Sequence, residues 1–204
     1  MNPQLKDILM QNGIVVQQDI EALNIVVGID SSNRYNLFGE TGQKLGTVKE
    51  ISGGAGGFLM RQIFQSARPC KLNILDTQDQ LIGEMQKPFR FFFSEMTANY
   101  NDAEVGRVKR VGFVRRNYMI SVGGQNQFTI QSSLFQWKRF NFDIVRNGIV
   151  VASIIKKYEG LIKMAFTQAD NFSIQFVDKN LTLEERYTLF AALFLIDFDV
   201  FEQN

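Results

Sequence analysis

The apolar and polar positions of this chain change period twice. Residues 2–11 have helical spacing, with Leu5, Ile8 and Leu9 on one face, Asn2 placed to cap the segment and Pro3 suited to its first turn. From about residue 24 the period shortens to two. Tyr35-Asn36-Leu37-Phe38, Lys71-Leu72-Asn73-Ile74-Leu75 and Phe140-Asn141-Phe142-Asp143-Ile144-Val145 each put apolar side chains on one face of a strand. Turn chemistry separates the strands at residues 39–42, 76–79, 100–102 and 146–148, and Asn147-Gly148 is a pair favoured in tight hairpins. After several of these turns a small residue sits between apolar ones and a lysine follows, as in Leu45-Gly46-Thr47-Val48-Lys49, Ile82-Gly83-Glu84-Met85-Gln86-Lys87, Val105-Gly106-Arg107-Val108-Lys109 and Val151-Ala152-Ser153-Ile154-Ile155-Lys156. Small residues inside strands mark bulges or close backbone approaches. The pattern therefore predicts a large antiparallel sheet that curls.

The second change comes near the C-terminus. Thr182-Leu183-Glu184-Glu185 has capping-box spacing, and nearly every residue from Tyr187 to Phe201 is apolar. A helix apolar on all sides must be enclosed, by protein or by lipid. Spanning a bilayer takes about 20 apolar residues, and this run is interrupted by Asp197 and Asp199. An aspartate at mid-bilayer costs on the order of 2.5–3.5 kcal/mol. Length and charge together favour a protein interior over lipid.

Composition narrows the chemistry. The 204 residues are 45% hydrophobic, enough to fill a sizeable core, with 19 Phe against one Trp. The absence of histidine removes Ser-His-Asp and Cys-His catalysis and imidazole metal sites. The single cysteine, Cys70, excludes an intrachain disulfide and a Cys-cluster zinc site. Asp197 and Asp199, two apart on a helix, project in different directions and do not form an acid/base pair, so no enzyme is expected. The Gly-rich stretch 52–57 lacks a following Gly-Lys-Ser/Thr and reads as a hairpin loop, not a phosphate cradle. The first residues lack the basic start and apolar run of a signal peptide, which makes a cytosolic location the default expectation.

With a formal net charge of +1, electrostatic targeting has to be local. The densest basic cluster is Arg107, Lys109, Arg110, Arg115 and Arg116, interleaved with Val108, Val111, Phe113 and Val114. It suits an anionic membrane surface, where each cation contributes about 1 kcal/mol; a solvated face guarding against edge pairing is the plainer reading. Nucleic acid would also suit a basic strand with aromatic neighbours, but the near-zero net charge argues against it. Phe89-Arg90-Phe91-Phe92-Phe93 is a candidate loop for dipping into a membrane or docking a protein partner.

Phe166-Thr167-Gln168-Ala169-Asp170-Asn171-Phe172-Ser173-Ile174-Gln175-Phe176, followed by Phe194-Leu195-Ile196-Asp197-Phe198 and Phe201-Glu202, resembles the C-terminal signature of the phospholipid scramblase family. Asn33 to Leu37, Ala67 to Asp76 and Gly148 to Gly160 extend the likeness. The resemblance implies a mainly β fold with some helix, related to the Tubby C-terminal domain: a closed antiparallel β-barrel wrapped around a buried hydrophobic C-terminal helix. On that template residues 1–23 form a helical segment packing on the barrel, residues 24–204 form the barrel, and the central helix covers about 183–201. The resemblance further implies phospholipid association, a calcium-binding segment and, in animal members, palmitoylated cysteines. Here the calcium segment retains Asp170, Asn171 and Asp178 as candidate ligands, with Gln168 where the family begins with an acid. The multi-cysteine stretch is replaced by Lys87-Pro88-Phe89-Arg90-Phe91-Phe92-Phe93, without a thiol. Two functions follow: a scramblase-like domain on anionic phospholipid, or a protein-interaction or regulatory module of the same fold without calcium or lipid activity.

Overall fold

The computed structural model describes residues 1–19, 33–51, 69–112, 116–131, 141–156 and 171–201; stretch 52–57, Arg115 and Asp170 lie outside them. Among the described residues the alternating segments become twelve strands: β1 (Gly13–Gln18), β2 (Arg34–Gly39), β3 (Lys44–Ile51), β4 (Cys70–Leu75), β5 (Leu81–Lys87), β6 (Glu95–Tyr100), β7 (Ala103–Arg110), β8 (Tyr118–Val122), β9 (Gln125–Ile130), β10 (Asn141–Arg146), β11 (Ile149–Lys156) and β12 (Asn171–Phe176). Each pairs antiparallel with its sequence neighbours. β1 closes the barrel on β12, from Gly13 opposite Gln175 to Gln17 opposite Asn171. Closure removes the exposed strand edges that invite aggregation.

The sequence placed the change of period near residue 24, yet β1 begins at Gly13. Only α1 (Pro3–Leu9) is helical ahead of it, so residues 1–23 are not one helical segment. The cause is burial on both faces: Gly13 to Val16 are all buried, and such a strand reads as an apolar run without alternation. α1 carries the Asn2 cap expected of it, with the Asn2 side chain accepting from the Gln4 amide at 2.8 Å.

The core helix α2 (Leu183–Ile196) starts on a complete capping box. The Thr182 side chain accepts from the Glu185 amide, and the Glu185 side chain accepts from the Thr182 amide. From Glu185 to Ile196 every residue is buried, and Leu189 to Ile196 are at most 1% exposed. A π-helical turn (Asp197–Phe201) continues it. No helix among the described residues is long and apolar enough to cross a membrane. The helix lies inside the barrel against inward side chains such as Met96, Val108, Ile120 and Ile174, and Phe194 makes edge-on contacts with Tyr35, Phe172 and Phe190. Each such side chain contributes about 1.5–3 kcal/mol before chain entropy is subtracted.

The recurrent small residues sit where the sheet bends. Register shifts follow the pairs Leu37 with Gly46, Ile74 with Gly83, Ala98 with Gly106 and Ile144 with Ala152. A fifth shift, in β8–β9, has Phe128 at the corresponding place. Bulges bend a strand and increase its twist, which wraps the sheet around the helix. Two of the glycines also admit the helix itself. A Cβ on Gly83 would lie 2.8 Å from the Tyr187 hydroxyl, and one on Gly106 would collide with the Thr188 hydroxyl and lie 2.8 Å from the Ser121 carbonyl.

The two rims of the barrel differ. Residues 40–43, 76–80, 101–102, 123–124 and 147–148 join strands at one rim; the strand ends at the other rim are separated by longer stretches of sequence, of which residues 88–94 are described throughout. The left-handed backbone of Asn101, Asp102, Asn147 and Gly148 suits the tight turns of the first rim. α2 enters there and ends at the second, where the chain has room for sites.

Gly106→Ala is expected to destabilise the fold by about 1–3 kcal/mol through overpacking, read as a lower denaturant midpoint. Part of that loss should disappear in a Thr188→Ala background, because the Thr188 hydroxyl is the nearest atom. A neutral Gly106→Ala would contradict the close approach of β7 to α2.

Candidate functional site

Alternation along β7 divides the basic cluster. Val108 points inward and is fully buried, which turns Arg107 and Lys109 outward. Arg107 is already paired: its Nε and Nη2 donate to Glu104 at 3.1 and 2.6 Å, and its Nη1 donates to Glu95 Oε1 at 3.4 Å. The hydrogen bond to Glu104 is the main reason its pKa lies above the usual arginine value. Arg110, three residues on, belongs to the inward register, opposite Tyr118, and donates to the Gly112 carbonyl at 3.1 Å. Arg116 is half-buried in the β7–β8 connection, and its charge acts on Tyr118. The structure thus brings Arg107 and Lys109 together outside the barrel, and Arg110 and Arg116 together near Tyr118 at the rim.

Beside Arg107 lies a groove that the sequence did not reveal. On β6 the outward residues Glu95, Thr97 and Asn99 are only 4%, 9% and 8% exposed, so they form a sunken floor. Glu95 Oε1 accepts from Arg90 Nη2 at 2.6 Å as well as from Arg107. The cavity above them measures about 670 Å³ and is also bounded by Cys70, Lys71 and Gln86. Arg90 comes from the β5–β6 connection, whose Phe91 and Phe92 are 73% and 74% exposed. The one trace in the sequence was the Phe-rich loop; the link between Arg90 and Glu95 depends on the turn geometry of residues 88–94.

At the long-connection rim the π-helical turn carries two buried acids. Asp197 Oδ2 accepts from the Tyr35 hydroxyl at 3.4 Å, and Asp199 Oδ2 accepts from the Tyr118 hydroxyl at 3.2 Å and from the Ser94 hydroxyl. The two carboxylates therefore serve different strands. Burial pushes the Asp199 carboxyl above the usual range, while the Ser94 hydrogen bond, the charges of Arg110 and Lys87 and the Tyr118 hydrogen bond pull it back. Burial also raises the Tyr118 hydroxyl well above its ordinary value, helped by the Asp199 charge. Ser94 ends the Phe-bearing connection, so Asp199 ties that loop to the end of the core helix.

A family model described as Scramblase matches residues 1–203. The chain belongs to the scramblase family. It is 26% identical to human phospholipid scramblase 1, over 99% of this chain and 67% of that protein. It is 23% identical to a phospholipid scramblase family protein of Schizosaccharomyces pombe, over 100% of this chain and 63% of the relative. It is 22% identical to altered inheritance rate of mitochondria protein 25 of Saccharomyces cerevisiae, over 100% and 74%. The chain thus spans 63–74% of the length of these relatives. No solved structure matches it.

Asn171 opens β12 and Asp178 lies two residues beyond its end. At about 3.3 Å per residue they stand on the order of 20 Å apart, whereas calcium ligands lie 2.3–2.6 Å from one ion. Asp178 is also engaged by Arg146 Nη2 at 2.8 Å and accepts the Asn180 amide at 2.9 Å. The Asn180 amide, then Arg146, holds its carboxyl below the usual range. Arg146 Nη1 in turn donates to Glu185 at 2.6 Å, so Asp178 helps seat the start of α2. Asn171 and Asp178 do not fit as ligands of one calcium ion. No group of three or more His, Cys, Asp or Glu among the described residues could hold a metal ion.

The raised Asp199 pKa gives a signed prediction. The folded chain keeps a proton on Asp199 at pH values where the unfolded chain has released it. Stability therefore falls as pH rises through the window from the ordinary aspartate value of 3.8 to the raised folded value. Asp199→Asn removes that slope. Denaturant unfolding from pH 7 down to 4 should show wild type gaining on Asp199→Asn as the pH drops; a constant or opposite difference would contradict the burial argument.

Proposed function

We propose that this domain is a non-catalytic, peripheral membrane module on the cytoplasmic side, which docks on anionic phospholipid and serves a scramblase-like role in lipid movement. The observation that carries this reading is the exposed pair Phe91 and Phe92 standing on the same connection as Arg90, which reaches Glu95 on β6 beside the outward Arg107 and Lys109 of β7. Apolar side chains entering the acyl boundary beside cations at the headgroup level make a two-signal anchor, the combination that stable attachment requires. Lys109 on the outer face of β7 and Arg116 in the β7–β8 connection supply charge beside Arg107. Because α2 is enclosed, contact with lipid is assigned to the outside of the barrel.

A second reading, a protein-interaction or regulatory module without calcium or lipid activity, draws on two observations. Arg107 is held by Glu104 and Glu95, and Asn171 and Asp178 are far apart. An exposed Phe pair then serves a protein partner.

Co-sedimentation separates the two. On vesicles rich in phosphatidylserine at low salt the domain should sediment, and binding should fall as salt rises. Lys109→Ala with Arg116→Ala should weaken it by about 2 kcal/mol, at about 1 kcal/mol per cation, or roughly thirtyfold. Phe91→Ala with Phe92→Ala should weaken it with little change in the salt dependence. Absence of binding to anionic vesicles at low salt would favour the second reading.

A further inference from the structure

We propose that the groove over β6 is a headgroup site for a glycerophospholipid that carries both a phosphate and a primary ammonium group. The inference rests on the membrane-docking reading and deepens it, because docking by charge and Phe side chains alone requires no shaped pocket.

The chemistry of the lining sets the ligand class. Two guanidinium groups, Arg90 and Arg107, and two carboxylates, Glu95 and Glu104, face one another across a cavity of about 670 Å³, within the range that holds small molecules; Lys71 at its edge is held by Glu84, and Lys87 lies in the inward register toward Asp199. Glu95 is sunk in the floor and takes one hydrogen bond from each guanidinium, which fixes Arg90 and Arg107 beside one another. A guanidinium offers five N–H donors. The bonds to Glu95, to Glu104 and to the Phe89 carbonyl use two of those on Arg90 and three of those on Arg107. The remaining donors suit the oxygens of a phosphate, which arginine binds in a forked geometry. A ligand with negative charge alone would meet repulsion from Glu104, whose side chain is 41% exposed. An ammonium group resolves this: a carboxylate has about four acceptor sites, and Arg107 uses two of those on Glu104. A quaternary ammonium has no N–H to give, so the groove selects ethanolamine-type over choline-type headgroups.

The floor and the flank agree with this assignment. Gln86 and Thr97 are register partners on β5 and β6, and Asn99 Nδ2 donates to Thr97 Oγ1 at 3.0 Å, which makes the floor beyond Glu95 polar and uncharged. The connection that places Arg90 in the groove also carries the exposed Phe91 and Phe92. Acyl chains leaving a bound headgroup would therefore run toward the element assigned to the bilayer.

The chain's only cysteine, Cys70, borders the groove from the inward register of β4 and packs against the core, so the probe is a thiol placed on the outward face as Lys71→Cys in a Cys70→Ser background. The rate of its alkylation by N-ethylmaleimide is measured on the whole chain with glycerophosphoethanolamine, glycerophosphocholine or inorganic phosphate, and then with phosphatidylethanolamine-containing anionic vesicles. Expected is a several-fold slowing by glycerophosphoethanolamine and by the vesicles, with little effect of the choline compound or of phosphate. Arg90→Gln and Gln86→Trp, each compared with its own unliganded rate and checked for an unchanged thermal midpoint, should lose the protection. No slowing by glycerophosphoethanolamine, equal slowing by phosphate or the choline compound, or full protection in Gln86→Trp would overturn the assignment. Sedimentation of the same samples keeps the two readings apart. Binding to vesicles without headgroup protection overturns the groove and leaves docking intact; headgroup protection without vesicle binding overturns docking and, with it, the lipid as the source of the ligand.

Discussion

A helix that is apolar around its whole circumference has no stable place at a protein surface, and the architecture of this chain follows from that constraint. α2 has no polar face to turn outward, and a single sheet could cover only one side of it. Twelve strands closed on themselves cover every side. Enclosure then makes demands on the wall: bulges beside Gly46, Gly83, Gly106 and Ala152 bend the hairpins, and the missing side chains at Gly83 and Gly106 give Tyr187 and Thr188 room. Tyr187 shows how the polar cost of such packing is met, its hydroxyl lying within hydrogen-bond distance of the Glu84 and Asn99 carbonyls, at 2.7 and 3.0 Å. Arg186, 2% exposed, donates from Nη1 to the Leu9 and Gln11 carbonyls at 3.1 Å and lies over the Phe176 ring, which plugs the entrance of the barrel.

What could be read from the sequence was whatever depended on neighbours along the chain. The capping box at Thr182, the apolar run after it, the Asn147-Gly148 turn and the small residues inside strands all carry local signals, and each has its counterpart in the fold. Closure was not legible from pattern alone, because the pairing of β1 with β12 joins residues about 160 positions apart; it came from the family resemblance. β1 itself was missed because a strand buried on both faces does not alternate. The basic cluster was legible as composition but not as a surface, since one step of register separates the outward Lys109 from the inward-register Arg110. The Arg90–Glu95–Arg107 arrangement depends on a turn and two strands, and no spacing in the sequence encodes it.

Enclosing the helix also moves the functional question to the outside of the barrel. The side of the wall near Arg107 and the long-connection rim combine cations, exposed Phe and a shaped groove, whereas the other rim is spent on tight turns. Asp199 links the two levels of the structure, holding Ser94 at the foot of the Phe-bearing connection from the end of α2. A buried acid is costly to keep charged, and here it is balanced by hydroxyl donors and by the charges of Arg110 and Lys87. The Asp178–Arg146–Glu185 chain does similar work at the other end of the helix, which gives the acid at position 178 a structural role.

The central claim is that α2 is the core of the barrel and stays there when the domain meets lipid. Amide hydrogen exchange of residues Leu189–Ile196, with and without anionic vesicles, tests it most directly. An enclosed helix should exchange only through global unfolding, with protection equal to that of β6 and β7 and unchanged by vesicles. Exchange faster than in those strands, or a change confined to the helix when vesicles are added, would mean that it leaves the barrel and would contradict the account.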